Sequence, residues 1–376
     1  STSCTASRHN AVAGLPAAYR GPAGRLRPPD LIIQDELHLI TGALGTTVGL
    51  FEVAVDALCA WTLPDGRPAG PVIVASSATV RNAHEQVKSL YGRDTTIFPP
   101  LVLDAGDSFF AVTVPVTPDK PGRRYLGICT TGVRMTAAEI RIAEMLLAAG
   151  QLLLDRDLDT TPHAADPYLT LVGYFNATRE LAGMARYLAD DVSTLLAKGR
   201  AWSLLPRRYG TNFGTLNIDE LTSRVSSADI TRTLDHLAAT FSAEVDSSAG
   251  RTARAEARAA ARAGGLKLTE RATNPYDVVL ATSMLQVGVD VTRLGLMLMV
   301  GQPKNTAEYI QASSRVGRDP SRPGLVVSLG NWSRPRDLSH FEAFRHFHET
   351  FYQQVEALSV TPFSLTSLER GLDGVL

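Results

Sequence analysis

Two short segments of the sequence carry acidic and hydroxyl side chains that suit phosphate chemistry. Asp35 and Glu36 open the tetrad DELH and directly follow the apolar run 31–33. The segment SSAT at 76–79 follows the apolar run 72–75 in the same way. Paired carboxylates can hold Mg²⁺ through its water shell and orient or deprotonate an attacking water. Acids or hydroxyl caps at a helix N-terminus would explain either segment alone, but the two together favour phosphoryl transfer.

A second set of polar residues lies in the later half of the chain: Thr282, Ser283, Gly288, Asp290, Gln311, Arg315 and Arg318. Hydroxyl residues at a strand end can bond to a phosphate backbone, glycine permits close approach, and aspartate can accept a hydrogen bond from a ribose hydroxyl. The spacing of Arg315 and Arg318 predicts one shared helix face, where two guanidinium groups suit the charge of a transferring γ-phosphoryl group. A solvated basic helix end explains the two arginines equally well when they are considered alone.

Six short apolar runs predict strands, and the stretches between them predict helices. The runs lie at 31–33, 71–75, 168–174, 277–281, 294–300 and 325–329. Continuous apolar runs are typical of parallel strands buried on both faces, and their alternation with helices such as 178–188 and 230–243 indicates α/β layers. Ligands bind outside the carboxyl ends of such strands, so the polar segments are expected at that edge of the sheet.

Two stretches depart from this alternation. Residues 92–166 are less regular around an amphipathic helix at 136–154, and we interpret them as a connection between two α/β units. Four arginines are spaced by three or four residues, which predicts one shared helix face: Arg251, Arg254, Arg258 and Arg262. Such a stripe can track a phosphate backbone, and a solvated basic linker explains it equally well.

Composition narrows the class of protein. The chain has 376 residues, 44% of them hydrophobic, which predicts two domains with cores of their own and excludes a largely disordered chain. A net charge of -1 excludes a basic nucleic-acid-binding arm, so any contact with nucleic acid must come from a local patch. No apolar run approaches the about 20 residues of a membrane-spanning helix, and few cysteines fit a reducing, cytoplasmic setting without a membrane partner.

Four of these segments together resemble the conserved motifs of superfamily 2 helicases. DELH resembles motif II, SSAT motif III, ATSMLQVGVDV motif V and QASSRVGR motif VI, in that order along the chain. The phrases PPDLIIQDELHLITG, TSRVSSADI and EYIQASSRVGR further resemble the large helicase-like subunit of DISARM antiphage defence systems. The resemblance implies an ATP-dependent DNA helicase or translocase with RecA-like parallel sheets flanked by helices.

The resemblance also implies a domain organisation, cofactors and partners. Residues 1–100 would be the C-terminal part of a first RecA-like domain, and 101–165 a connecting segment. Residues 166–335 would be a complete second RecA-like domain, and 336–376 the helical start of a C-terminal region. ATP and Mg²⁺ would be the cofactors. DNA would be the partner, although the sequence does not distinguish DNA from RNA, and other subunits of a defence complex would be further partners.

Roles for individual residues follow from the same resemblance. The residues implied to act on Mg²⁺ and the catalytic water are Asp35 and Glu36, and the implied arginine fingers are Arg315 and Arg318. The residues implied to meet the nucleotide or couple it to the opposite domain are His38, Gly288, Asp290 and Gln311. The residues implied to link hydrolysis to movement are Ser77, Ala78 and Thr79. The residues implied to contact nucleic acid are Asn176, Arg179, Arg224, Thr282 and Ser283.

The sequence departs from the helicase pattern in two places. Ser314 stands where motif VI has glycine, which leaves both arginines in place. No GxxxxGK[ST] loop occurs in the 376 residues, and the glycine-rich stretch 42–47 lacks the lysine. We therefore expect the chain to be the later part of something longer and to hydrolyse little ATP alone. The alternatives are a non-catalytic nucleic-acid-binding or scaffolding module, and a partner chain that supplies the loop in trans.

Overall fold

A computed structural model describes most of the chain and divides it into two units. Unit 1 comprises residues 1–98 and 357–376, and unit 2 comprises residues 99–356. The residues that the structure describes are 8–10, 17–19, 28–77, 81–98, 100, 102–104, 106–110, 112–156, 164–199, 205–212, 214–222, 225–265, 271–286, 290–350, 352–357 and 359–374.

Strands and helices alternate along most of the described chain. The strands are β1 (Arg8–His9), β2 (Ala18–Tyr19), β3 (Leu31–Gln34), β4 (Trp61–Thr62), β5 (Pro68–Ala69), β6 (Val72–Ala75), β7 (Arg123–Cys129), β8 (Leu171–Phe175), β9 (Ile218–Leu221), β10 (Val278–Ala281), β11 (Leu296–Val300) and β12 (Gly324–Gly330). The α-helices are α1 (Gly42–Cys59), α2 (Ala83–Tyr91), α3 (Met135–Arg156), α4 (Thr178–Tyr187), α5 (Ser193–Lys198), α6 (Ser227–Ala238), α7 (Ala243–Asp246), α8 (Ser248–Ala263), α9 (Thr306–Ser313), α10 (Pro335–Glu342), α11 (Phe344–Thr350) and α12 (Leu365–Gly371).

Unit 2 is built on a six-stranded sheet with the strand order β7-β12-β11-β8-β10-β9. Every strand pairing in this sheet is parallel. Strands β8, β10 and β11 are buried at every residue, which is why the sequence shows them as continuous apolar runs. The predicted α/β fold, with a parallel sheet flanked by helices, is confirmed.

The sheet of unit 2 has two apolar faces because side chains alternate along each strand. Helices α3, α4 and α5 cover one face, where Leu147 of α3 packs in the same cluster as Leu280 of β10. Helices α6, α9 and α11 contribute Leu237, Tyr309 and Phe347 to the cluster on the other face. Helices on both faces leave the two ends of the sheet to loops. The segments that follow β8 and β10 lie at the carboxyl end, whereas the turn that follows α9 lies at the amino end, beside the start of β12.

The edge strands β7 and β9 of this sheet were not predicted from the sequence. β7 has the sequence RRYLGIC, and β9 has the sequence IDEL, so polar residues interrupt both. An edge strand is covered on fewer sides than a central one, and no continuous apolar run marks it. The predicted connecting segment 101–165 thus contains one strand of the unit 2 sheet together with α3. The boundaries implied by the family resemblance stay a prediction.

Unit 1 contains the parallel pair β3–β6, in which Gln34 lies opposite Ala75. Its core is small and joins Leu37, Leu90 and Val360 with partly buried residues of α1 and α2. The antiparallel pairs β1–β2 and β4–β5 are the other described strands of this unit. The β3–β6 pair therefore brings the segments that follow the two strands side by side at one carboxyl edge.

Helix α1 is the one helix within the described ranges that is long and apolar enough, by length and composition, to cross a membrane. It packs in unit 1, where Gly42 N donates to Ser359 O at 3.2 Å and Thr361 N donates to Thr46 Oγ1 at 3.2 Å. The helix does not show as a continuous apolar run in the sequence because Glu52 and other polar residues interrupt it. Core helices of globular proteins satisfy the same test, so one such helix is weak evidence for a membrane span.

Candidate functional site

The carboxyl edge of β3–β6 brings the acidic tetrad and the serine segment into contact. Ser76 Oγ donates a hydrogen bond to Asp35 Oδ1, and the backbone N of Glu36 donates to the same oxygen at 2.9 Å. These two bonds, the Ser76 hydroxyl first, hold the pKa of Asp35 below its usual value. The carboxylate of Asp35 is therefore charged at neutral pH, as a group that binds a hydrated cation must be.

The backbone at Glu36 is left-handed, with φ 53° and ψ 46°, which is uncommon for a residue other than glycine. Leu37 N donates to Ser76 O at 2.9 Å and fixes the chain just after this residue. Gln86 Nε2 of α2 then donates to Leu37 O at 3.1 Å and to Ile40 O at 3.0 Å. Strained residues of this kind persist only where surrounding contacts over-determine them, and they cluster at functional sites.

His38 connects the acidic tetrad to the serine segment. It is 8% exposed, and its Nδ1 lies 3.3 Å from Glu36 Oε2 and 3.5 Å from Ser77 Oγ. Burial lowers the pKa of His38, while the carboxylates of Glu36 and Asp35 act in the opposite direction. A neutral imidazole in this position can transmit a displacement of the acidic residues to the segment that follows β6.

Two residues of this arrangement were not assigned a role from the sequence. Ser76 belongs to the predicted segment, but the roles were assigned to its neighbours, and no pattern marks which hydroxyl faces Asp35. Gln86 lies three residues into α2 and carries no sequence signal. The geometry of the β3–β6 pair was needed to find both.

In unit 2, the two arginines of motif VI lie beyond the end of a helix. α9 ends at Ser313, so the prediction that Arg315 and Arg318 share a helix face is wrong. The chain turns at Gly317, whose φ is +67° and whose ideal Cβ would lie 2.6 Å from Gly324 Cα. Only glycine fits so close to the start of β12 with a left-handed backbone, so Gly317 lets the chain pass from the two arginines to that strand.

The turn gives the two arginines different surroundings. Arg315 is 9% exposed, and Gln311, one helical turn earlier, is 8% exposed. Arg318 forms an ion pair with Asp290, whose side chain is 74% exposed. The structure therefore brings together an implied arginine finger and a residue implied to meet the nucleotide.

Arg123 of β7 holds the motif VI turn from the side. Its Nε donates to Val316 O at 2.8 Å, and its Nη2 donates to Ser314 O at 3.4 Å. Sequence reasoning missed this residue because β7 itself was not predicted. The edge strand of the unit 2 sheet thus positions the arginines that follow α9.

The residues predicted to contact nucleic acid follow β8 and β10 at the carboxyl edge of the unit 2 sheet. Asn176 Nδ2 donates to Val300 O at 3.4 Å and to Gln302 O at 3.2 Å, so its amide group links the ends of β8 and β11. Arg179 is exposed in the first turn of α4. Thr282 and Ser283 follow β10 directly, and Thr282 is partly buried whereas Ser283 is exposed.

Four of the predicted site residues lie outside the part of the chain that the structure describes: Ala78, Thr79, Arg224 and Gly288.

Two carboxyl groups and one arginine meet beside the nucleic-acid residues of unit 2. Arg334 Nη2 donates to Glu180 Oε1 of α4 at 2.6 Å. Burial, together with the nearby Glu180 carboxylate, raises the pKa of Glu139 to about 7, and Arg334 acts in the opposite direction. Because the pKa of Glu139 is about 7, this carboxyl group is partly protonated near neutral pH.

Glu139→Gln should stabilise the protein at pH 8 and leave its stability unchanged at pH 4. The folded pKa of about 7 exceeds the ordinary value of 4.5, so stability falls as the pH rises between these two values. At pH 8 the buried charge costs up to about 3 kcal/mol, because one pKa unit corresponds to about 1.4 kcal/mol. Urea denaturation at the two pH values measures the difference, and an equal effect at both would contradict the assignment.

The carboxylates of unit 1 fit a magnesium ion better than a metal held by protein alone. Within the described residues, no group of three or more histidine, cysteine, aspartate or glutamate side chains could hold a metal ion. Mg²⁺ usually binds through one or two carboxylates together with waters and substrate phosphates. Asp35 and Glu36 at the β3–β6 edge match that donor set.

Comparison with known proteins identifies the class. Residues 265–320 match the family model described as "Helicase conserved C-terminal domain". The fold resembles the crystal structure of the DUF1998 helicase MrfA bound to DNA, with a TM-score of 0.51, 18% identity, and coverage of 92% of this chain and 35% of that chain. The chain is thus related to superfamily 2 helicases, and the resemblance seen in its motifs is confirmed.

A more similar sequence is the DISARM protein DrmA of Bacillus paralicheniformis. The two sequences are 40% identical over 351 residues, which is 93% of this chain and 28% of that protein. The match confirms the resemblance to DISARM systems. The chain spans 28% of the length of this relative, so it corresponds to only part of DrmA.

Proposed function

We propose that this chain carries the later helicase motifs of an ATP-dependent DNA helicase or translocase that acts in antiphage defence. The observation that carries the proposal is the contact set at the carboxyl edge of β3–β6, where Ser76 bonds to Asp35 and His38 approaches both Glu36 and Ser77. Acids linked in this way to the next strand suit an enzyme that couples hydrolysis to a structural change. The similarity to DrmA over 93% of the chain supports the role in defence.

The acidic residues have distinct roles in this proposal. Asp35 helps to hold hydrated Mg²⁺, which when bound neutralises charge on the nucleotide phosphates. Glu36 orients the attacking water and accepts its proton. The Asp35 carboxylate accepts from Ser76 and from Glu36 N, whereas the Glu36 carboxylate faces His38 at 3.3 Å, so the two adjacent acids can do different work.

The residues of motifs V and VI act on the same reaction. Arg315 and Arg318 stabilise the negative charge that develops on the transferring phosphoryl group, and Arg123 supports them through the turn. Gly288 and Asp290 meet the nucleotide. The ion pair between Arg318 and Asp290 supports the proposal because it keeps two residues of the same site together.

The described nucleic-acid contacts of this proposal, Asn176, Arg179, Thr282 and Ser283, lie at the carboxyl edge of the unit 2 sheet. Arg224, outside the described residues, has the same proposed role. Hydroxyl and guanidinium groups bind phosphate oxygens without reading sequence, while the Asn176 amide holds the ends of β8 and β11 beside them. The structure of MrfA, which shares the fold, is of a DNA-bound protein, and this supports DNA as the partner.

Ser77→Ala should separate ATP hydrolysis from movement in the full-length protein. The hydroxyl faces His38 at 3.5 Å and has no contact with the acids that act on water, so hydrolysis should stay within about threefold of wild type. Displacement of a complementary strand should fall about tenfold or more, since the link between the two segments is weakened. Both rates are measured on the same DNA, with Ser89→Ala in α2 as the matched control.

The alternative function is a non-catalytic nucleic-acid-binding or scaffolding module. The observation that favours it is that the 376 residues contain no GxxxxGK[ST] loop. Such a module would bind DNA with the same affinity with and without ATP and would release no phosphate. That result in the full-length protein, also after mixing with its partner subunits, would exclude the motor and support the module.

A further inference from the structure

A cavity of about 260 Å³ in unit 2 has a strongly positive lining. Arg251, Arg254 and Arg258 of α8 line it together with Arg271, and Asp246 is the one carboxylate among the described lining residues. We name it the arginine cavity. Among the described lining residues, four guanidinium groups and one carboxylate lie close together, a local concentration of arginines in a chain whose net charge is -1.

The arginine cavity lies at the amino edge of the unit 2 sheet. Its lining residue Thr211 precedes β9, and Arg271 precedes β10. Thr211 N donates to Asp277 Oδ2 at 2.7 Å, immediately before β10 begins. The residues predicted to contact nucleic acid follow the carboxyl ends of the strands, which lie at the opposite edge of a parallel sheet. The cavity is therefore separate from those contacts, and the motif VI turn lies beside β7 and β12, at the other end of the strand order.

Two arginines of the cavity are fixed in place by the protein. Arg251 Nε donates to Asp246 O at 3.0 Å, and its Nη1 donates to Gly210 O at 3.1 Å. Arg271 Nη2 donates to Asp246 Oδ1 at 2.7 Å, and its Nη1 donates to Thr240 O at 3.2 Å. Their side chains are 22% and 21% exposed. Cations held in this way lose little conformational freedom on binding an anion, which favours affinity.

Helix α8 extends the positive charge beyond the cavity. Arg262 continues the row that begins at Arg251, and at about 1.5 Å per residue the row is about 16 Å long. Glu256 is the one acidic residue of α8, and it lies about 200° around the helix from Arg254 and Arg258. A DNA strand carries a phosphate about every 3.4 Å along the helix axis, so the row suits an extended polyanion better than a single compact anion.

We infer that the arginine cavity and the row on α8 bind the phosphate backbone of nucleic acid at a second site, at the edge of the sheet opposite to the predicted nucleic-acid contacts that follow β8 and β10. The inference rests on the proposed function, because a helicase or translocase supplies the nucleic acid. Backbone contacts need charge and no base readout, so binding here is independent of base sequence. This second contact holds DNA that lies outside the path lined by the motifs.

The test is the salt dependence of DNA binding by the full-length protein, measured by fluorescence anisotropy from about 50 to 200 mM salt. The double variant Arg254→Gln with Arg258→Gln removes two charges and keeps Arg251 and Arg271, the two arginines that hold Asp246. Each lost phosphate contact lowers the slope of log affinity against log salt by about 0.7–0.9, so we expect a slope shallower by about 1.4–1.8. Affinity at about 100 mM salt falls about tenfold.

Two further variants isolate the effect of charge at this position. Arg232→Gln with Arg345→Gln makes the same charge change at two exposed arginines of unit 2, which are paired with Asp229 and Glu349. This control should leave the slope unchanged. Arg254→Lys with Arg258→Lys should restore the wild-type slope, because a phosphate contact of this kind requires charge and tolerates a change of shape.

The outcomes separate this inference from the proposed function. If the wild-type protein binds DNA and the glutamine pair keeps its slope and affinity, the arginine cavity does not bind nucleic acid and only this inference fails. If the lysine pair behaves like the glutamine pair, the loss reflects packing, and the inference is again overturned. If the wild-type protein binds no DNA, the proposed function fails and this inference fails with it.

Discussion

Glu36→Gln should lower DNA-stimulated phosphate release by the full-length protein about 10²–10⁴-fold, the range expected when a residue that accepts the proton of an attacking water is removed. The substitution keeps the length of the side chain and the backbone bond from Glu36 N to Asp35 Oδ1. It removes the carboxylate that faces His38 at 3.3 Å. Because Asp35 and Ser76 stay in place, binding of Mg²⁺–ATP and of DNA should persist within about threefold.

The matched control is Glu369→Gln, which makes the same chemical change at an exposed position of α12 in the same unit. It should leave phosphate release unchanged. Phosphate release is measured at saturating DNA and ATP, so that a change in binding does not appear as a change in rate. Hydrolysis within about threefold of wild type in Glu36→Gln would remove Glu36 from the proposed catalytic role.

Asp277→Asn should destabilise unit 2 by about 3–5 kcal/mol, the usual cost of removing one partner from a buried ion pair. Arg208 Nη2 donates to Asp277 Oδ1 at 2.8 Å, and the two residues are 2% and 0% exposed. The other oxygen, Oδ2, accepts from Thr211 N at 2.7 Å and from Asn217 N at 2.9 Å. An asparagine turns one acceptor into a donor, so at least one of these donors loses its partner whichever way the amide points.

This network also predicts the result of removing both charges. Many buried ion pairs can be replaced by two apolar residues at little cost. Here Arg208→Met with Asp277→Leu should remain destabilised, because the backbone N–H groups of Thr211 and Asn217 would still lack an acceptor.

Hydrogen exchange of the β8 and β10 amides, combined with urea denaturation, measures the effect in unit 2. Asp235→Asn, at an exposed position of α6, is the control and should change stability by less than about 0.5 kcal/mol. A loss for Asp277→Asn as small as that of the control would show that the pair is not a major source of stability.

The central strands could be predicted from the sequence because their burial is uniform. β8, β10 and β11 contact helices on both faces, so every residue is apolar and the run is continuous. The edge strands β7 and β9 contain arginines and acids, and their positions depend on which strands pair, which a local pattern does not encode. The supports that depend on β7, such as Arg123 behind motif VI, were missed for the same reason.

The candidate site could be predicted as a set of segments but not as a geometry. The order of DELH, SSAT and QASSRVGR along the chain resembles that of superfamily 2 helicase motifs, and this resemblance implies the reaction class. The contact of Ser76 with Asp35 depends on the register of β3 against β6. Arg315 and Arg318 lie outside a helix because α9 ends at Ser313, and the close packing of Gly317 against Gly324 that follows is not visible to a helical spacing rule.

For the row of arginines on α8, the sequence predicted the local element but not its tertiary surroundings. Its spacing correctly predicted a helix, α8, with its arginines on one face. Arg271 lies outside that helix and joins the cavity only through the tertiary fold, with Asp246 held between Arg271 and Arg251. A linear pattern could therefore suggest a phosphate-tracking helix, while the cavity required the structure.

The central claim is that this chain belongs to an ATP-driven motor that acts on nucleic acid. Phosphate release by the wild-type full-length protein tests this claim most directly. ATP hydrolysis is measured with and without DNA, for the protein alone and after mixing with its partner subunits. The account predicts a rate that rises at least about tenfold on addition of DNA. DNA binding that is unaffected by ATP, with no phosphate release under either condition, would contradict it.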